Sequence, residues 1–163
     1  MMRISWLSAI LLVSVTALAV AQQPALQQAA VKMSGKSITL QYPALAASGQ
    51  IAGKPVLFRT DSDLEVQGLA VPKGEYTLFV QPEAKEWQLI ISKQTGPQAA
   101  TLNPKMELGR VPMDMKKASA AADTLKMTLA SFGNVAGKLE LAFGSTVASV
   151  PFNLDTLRPN VEW

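Results

Sequence analysis

An all-β chain, built as an antiparallel two-layer β-sandwich of about eight or nine short strands after a cleaved signal peptide, is expected from three features of the sequence. Apolar residues recur with a period of two rather than 3.6. The runs are short and bounded by Gly- and Pro-containing turns. No amphipathic helical stretch lies between them to act as a crossover, which leaves an antiparallel sandwich or barrel, and of these the sandwich is preferred.

Taken in order, Arg3 precedes an apolar run from Trp6 to Val15, and the small-residue pattern Ala19-Val20-Ala21 follows. That is the layout of a secretory signal peptide over residues 1–21, with cleavage before Gln22. Ser8, Ser14 and Thr16 interrupt the run, and no stop-transfer cluster follows, so no stable membrane insertion is expected after cleavage. Residues 22–30 read as a loose lead-in, since Gln22 to Gln28 is polar and holds a proline.

The sandwich domain is expected over 31–155. Ile38, Leu40 and Tyr42 share one face of a strand after the Ser34-Gly35-Lys36 turn, with Ala30 to Met33 as its partner. Leu64 and Val66 lead to Val71-Pro72-Lys73-Gly74, a turn that launches Glu75 to Val80; both faces of that strand are apolar, which makes it central. Trp87 to Ser92 returns beside it as the second arm of a hairpin, and Val111 to Met115 is a further short strand. Ala118 to Ala122 is too small-sided to bury a helical face and is expected as a loop or a single turn. Thr124 to Ser131 and Gly137 to Phe143 alternate strictly around a turn-rich connection, so a hairpin is expected that buries Leu139, Leu141 and Phe143 and leaves Lys138 and Glu140 in water. Val150, Phe152 and Leu154 form a last strand, placed at an edge by Pro151, and 156–163 is a C-terminal tail.

Composition then narrows function. The chain has 163 residues with Cys 0 and His 0, which removes thiol nucleophiles, imidazole bases, disulfides and almost every transition-metal site. No cofactor is expected. Removing Arg3 takes Lys+Arg from 15 to 14 against 12 acids, all beyond residue 21, for a balance of +2. Those lysines are scattered singly apart from Lys116-Lys117, so no nucleic-acid partner is expected. A processed, cysteine-free chain of this size is expected in the periplasm or outside the cell.

The stretch Leu64-Glu65-Val66 through Val71-Pro72-Lys73-Gly74-Glu75-Tyr76-Thr77-Leu78-Phe79, then Glu86-Trp87-Gln88-Leu89-Ile90-Ile91-Ser92-Lys93 and the closing Val147-Ala148-Ser149-Val150-Pro151-Phe152, resembles the domain of unknown function 2911 family over about Ile38 to Leu154. The resemblance implies an exported bacterial β-rich domain. Members carry a Trp-Arg-Thr-Gly-Ala-Asn-like loop before the strand corresponding to Pro55 to Phe58. Here Tyr42 to Pro55 is shortened and lacks it, so an activity carried by that loop would be lost.

Candidate chemistry is sparse. Arg59 and Trp87 are the candidate ligand-binding residues, although a Trp opening an alternating strand also suits a core or rim position. Asp61, Asp63 and Glu65 set three carboxylates at alternate positions, a donor set for a hard cation such as calcium, but without the glycine and distal bidentate Glu of a calcium loop. On a strand they would line a solvent-facing edge instead. Met113-Asp114-Met115 could offer thioethers to Cu(I), but period two puts the pair on one strand face, where core packing accounts for it. No Gly-x-Ser-x-Gly, Ser-x-x-Lys, Walker or dinucleotide pattern occurs. The expected function is an exported, non-catalytic binding or accessory domain of the bacterial cell envelope, with a small molecule, a glycan or an envelope protein as partner. The alternative is a hydrolase or isomerase that uses carboxylate, Lys and Tyr groups only. Acids converging with Arg59 in a pocket would favour the enzyme; a flat face with exposed Phe or Trp would favour binding.

Overall fold

In a computed structural model, which describes residues 25–156, the chain is all-β, with two antiparallel sheets and no α-helix among those residues. The expected signal peptide and nearly all of the expected tail lie outside them.

The ten strands are β1 Leu26–Met33, β2 Lys36–Pro43, β3 Val56–Thr60, β4 Leu64–Val66, β5 Leu69–Val71, β6 Gly74–Gln81, β7 Gln88–Ser92, β8 Glu107–Pro112, β9 Asp114–Phe132 and β10 Ala136–Leu154. The larger sheet has the order β1-β2-β3-β6-β7-β8 and the smaller β5-β4-β10-β9. β6 is central, as its two apolar faces require: Tyr76, Leu78 and Val80 enter the core, while Thr77 and Phe79 are buried on the opposite face. Ile38, Leu40, Phe58, Leu78, Leu89 and Ile91 meet Leu64, Val66, Met127, Leu139, Leu141 and Phe152 between the sheets. The β4–β5 connection is the two-residue turn Gln67-Gly68 with φ of 49° and 86°, the positive pair that matches the twist of a tight hairpin and that glycine adopts without strain.

Several sequence expectations are corrected. β1 begins at Leu26, inside the expected lead-in, because all eight of its residues find partners on β2, from Leu26↔Pro43 to Met33↔Lys36. Ala118 to Ala122 is extended backbone within the 19-residue β9, not a loop or helical turn. Small side chains carry no alternation to reveal a strand, and these are bracketed by pairs to β10 at Thr146↔Lys117 and Gly144↔Ala122. Val111 to Met115 is not one strand. Val111 belongs to β8 and Met115 to β9, with buried Met113 at the crossing between sheets and its N–H donating to the Trp87 carbonyl at 2.8 Å.

The final strand is no edge either, since β10 lies between β4 and β9. Pro151 is tolerated because its missing donor falls between two ladders: pairing with β9 ends at Ser149↔Asp114 and pairing with β4 starts at Phe152↔Val66. Its carbonyl accepts from the Gln67 N–H at 3.2 Å.

The β9–β10 hairpin has the expected register, Leu139↔Leu129 and Leu141↔Met127, with Leu139 and Leu141 buried. Phe143 is only half-buried, because the register shifts between Ala142 and Gly144 and again before Thr146. At the first shift β9 leaves β10 and bonds on its other edge to the β2–β3 connection: Ala46 bridges Thr124, Leu125 N–H donates to Leu45 O at 2.7 Å, and Ala47 N–H to Asp123 O at 2.8 Å. β10 curls so far that the Leu154 N–H reaches the Val135 carbonyl at 2.7 Å. That curl needs Gly137, where an added Cβ would stand 2.5 Å from the Phe152 ring. Lys138 and Glu140 are half-buried rather than fully in water; they pair at 3.1 Å, and the Lys138 ammonium lies 5.8 Å over the Phe132 ring.

Candidate functional site

Alternation along β2, β3 and β6 sends one set of side chains to the core and the other to the outer face of the larger sheet. Register then fixes which outward residues meet: Thr39↔Arg59↔Glu75 form one row and Gln41↔Leu57↔Thr77 the next. Over this lattice runs a groove of about 400 Å³, floored by Thr39, Gln41, Leu57 and Arg59 and bounded by Glu75, Thr95 and Gly96. Leu57 is 43% exposed in its floor.

The wall at Thr95 and Gly96 stands because the segment after β7 folds back over the sheet. Gln94, only 6% exposed, organises it. Its Oε1 accepts from Ser92 Oγ at 3.1 Å and Asn103 N–H at 2.8 Å, and its Nε2 donates to the carbonyls of Gln98 at 2.9 Å and Thr101 at 3.0 Å. Thr77 Oγ1 donates to the Gln94 carbonyl at 2.8 Å. Every buried side-chain polar atom of this segment is therefore paired, as a buried amide requires.

Arg59 reaches Glu75 Oε1 at 3.6 Å and Asp61 Oδ1 at 3.9 Å, with all three side chains about half or more exposed. Such open ion pairs add little stability. Arg110, elsewhere on the same sheet, is the contrast. It holds Glu107 through two hydrogen bonds of 2.6 and 3.0 Å and Gln81 through a third of 3.2 Å. The hydrogen bond to Glu107 is the main cause that raises the Arg110 pKa.

Residues 48–152 match the family described as "Protein of unknown function (DUF2911)". The chain belongs to that family. No curated protein matches it, and no solved structure does. The DUF2911 match takes in Leu57, Arg59, Glu75 and Thr95 of the groove, whereas Thr39 and Gln41 on β2 precede it. The Tyr42-to-Pro55 segment of this DUF2911 chain supplies the Leu45 and Ala47 bonds to β9.

The sequence candidates are dispersed. Arg59 lines the groove, but Trp87 does not; it is half-buried, packed against the core beside β7. Asp61 and Asp63 border a polar hollow of about 300 Å³ with Lys36, Lys73 and Asp155, and Glu65 is not part of it. Among the described residues no three acids gather to hold a metal ion. Asp63 is engaged locally, where its Oδ1 accepts from the Lys73 N–H at 2.7 Å. Next to it the Tyr76 hydroxyl donates to the Pro72 carbonyl at 2.7 Å, the four-residue backward bond of a tyrosine corner. Burial first, and the Asp63 carboxylate second, push the Tyr76 phenol above its ordinary value.

Thr39, Gln41 and Leu57 carry no mark of a site in the sequence. Their outward direction is legible from Ile38-Thr39-Leu40-Gln41-Tyr42, but their assembly depends on strand order. Nothing in the sequence marks Gln94.

Proposed function

We propose that this DUF2911 protein is an exported, non-catalytic binding or accessory domain of the bacterial cell envelope, with the groove on β2, β3 and β6 as its ligand surface. The observation that carries the reading is the groove itself: a concave patch with one exposed aliphatic floor residue, Leu57, surrounded by Thr39, Gln41, Thr95 and Arg59. A few convergent polar groups around an apolar spot orient a small ligand. Export rests on the layout of residues 1–21.

One observation favours the enzymatic alternative, the convergence of Asp61 and Glu75 on Arg59. The openness of these side chains, 49% to 66% exposed, weighs against it, because a carboxyl tuned for proton transfer near neutral pH is ordinarily desolvated.

An NMR screen of amino acids, short peptides, sugars and organic acids tests the reading. Hits are expected to move the groove amides, to be lost in Leu57→Glu and to emerge chemically unchanged. Hits confined to another surface overturn the site. Turnover abolished by Glu75→Gln overturns the non-catalytic assignment. Intact mass of periplasmic or secreted material is expected to correspond to a chain starting at Gln22; retention of Met1 overturns processing.

A further inference from the structure

Two arginines stand on the larger sheet, and they are used differently. Arg110 spends its guanidinium on Glu107 and Gln81 through three hydrogen bonds. Arg59 makes two ion-pair contacts, at 3.6 and 3.9 Å, both beyond hydrogen-bond length. Glu75 and Asp61 therefore hold its charge at the groove without occupying its planar fork of donors. A guanidinium fork matches a carboxylate through two parallel hydrogen bonds of about 2.7–2.9 Å, a closer engagement than either present neighbour makes.

Leu57 lies two residues earlier on β3 and faces the same way, so its side chain is about 7 Å from that of Arg59 along the strand. Gln41 sits directly across from Leu57, and Thr39 across from Arg59. The floor thus offers a carboxylate receptor, an apolar contact a few carbon atoms away, and an amide and a hydroxyl alongside. Phe58 and Tyr76 also line the groove, but at 7% and 8% exposed both are packed into the core, so neither offers the open ring face on which a sugar stacks.

We propose that the groove recognises a carboxylate carried on a short apolar stem, with Arg59 gripping the carboxylate and Leu57 the stem. A free organic acid and the C-terminus of a peptide share this chemistry. The inference rests on the groove being the ligand surface and adds the class of ligand.

The test is a titration of the isotope-labelled protein with three probes: hexanoate, acetyl-alanyl-leucine, and acetyl-alanyl-leucine amide. Both acids are expected to shift the amides of Gln41, Leu57 and Arg59, and the amide probe to leave them in place. Arg59→Gln is expected to weaken acid binding at least tenfold, and Glu75→Gln to strengthen it about threefold by removing a competing negative charge. All of these positions are exposed, so the variants fold. The tighter of the two acids identifies the source, free acid or peptide terminus. Equal binding of acid and amide at the groove overturns the carboxylate inference and leaves the groove reading standing. Acid binding elsewhere, or silence of the groove toward both acids, overturns the inference; other hits from the screen then decide the groove reading separately.

Discussion

Replacing Gln94 by alanine deletes four hydrogen bonds at once: two accepted by its Oε1 and two donated by its Nε2. A net value of about 1 kcal/mol for each bond gives about 4 kcal/mol. Water reaching the exposed Gln98 and Thr101 returns part of this, so the expected loss is about 3 kcal/mol. Gln94→Glu sharpens the test because it keeps the volume and the acceptor side while turning the donor toward two carbonyls into an oxygen. The introduced carboxyl can satisfy one carbonyl only when protonated, so its folded-state pKa lies above the unfolded value of about 4.3. Its contribution is then fully present below that unfolded value and is lost as pH rises through the folded one. Denaturant melts at pH 4 and pH 7 should show Gln94→Glu more destabilised at the higher pH relative to wild type. Gln98→Ala, which deletes only an exposed side chain, should stay within about 0.5 kcal/mol. A Gln94→Ala loss below about 1 kcal/mol, or a Gln94→Glu loss that does not change with pH, would refute the argument that this amide holds the segment together.

Two further outcomes are expected from the same melts. Leu141, fully buried, should cost about 2–5 kcal/mol on truncation to alanine, whereas Glu140→Ala should stay within about 0.5 kcal/mol; equal small effects would deny Leu141 its core position. Tyr76→Phe removes the bond to Pro72 and should cost about 1 kcal/mol at neutral pH. Because the folded-state phenol is raised above 10.0, the protein's stability includes a contribution present below that value and lost as pH climbs through the folded one, so the cost of Tyr76→Phe should shrink at strongly alkaline pH.

The core strands are legible in the sequence wherever one face meets apolar packing and the other meets water. Leu139 and Leu141 opposite Leu129 and Met127 follow from alternation and a single turn. Ala118 to Ala122 does not, because five small residues look alike on both faces and their extended backbone is imposed by the flanking ladder to β10. Pro151 misleads for a related reason: a missing donor signals an edge only when the neighbouring strand continues past it, and here one partner ends before the next begins. Arg59 stands out among nearby acids, but its alignment with Thr39 and Glu75 is a property of the β2-β3-β6 order. Asp63 suggests a metal ligand because its oxygen chemistry is visible in the sequence, while the hydrogen bond that its Oδ1 accepts from the Lys73 N–H is not.

The smaller sheet imposes an order on folding. β4 and β5 pair with each other and gain an outside strand only when Phe152–Leu154 arrives, and the Ser34 hydroxyl waits for the Asn134 carbonyl, 100 positions on. A partial chain ending before β9 would have the six-stranded sheet with only the short β4–β5 hairpin to cover part of its apolar face. Closing the core face therefore draws on contacts between distant parts of the sequence, including the pairing of β10 with β4. Slow, cooperative acquisition of structure is the expected outcome, with the curled β9–β10 hairpin as the part that completes the core.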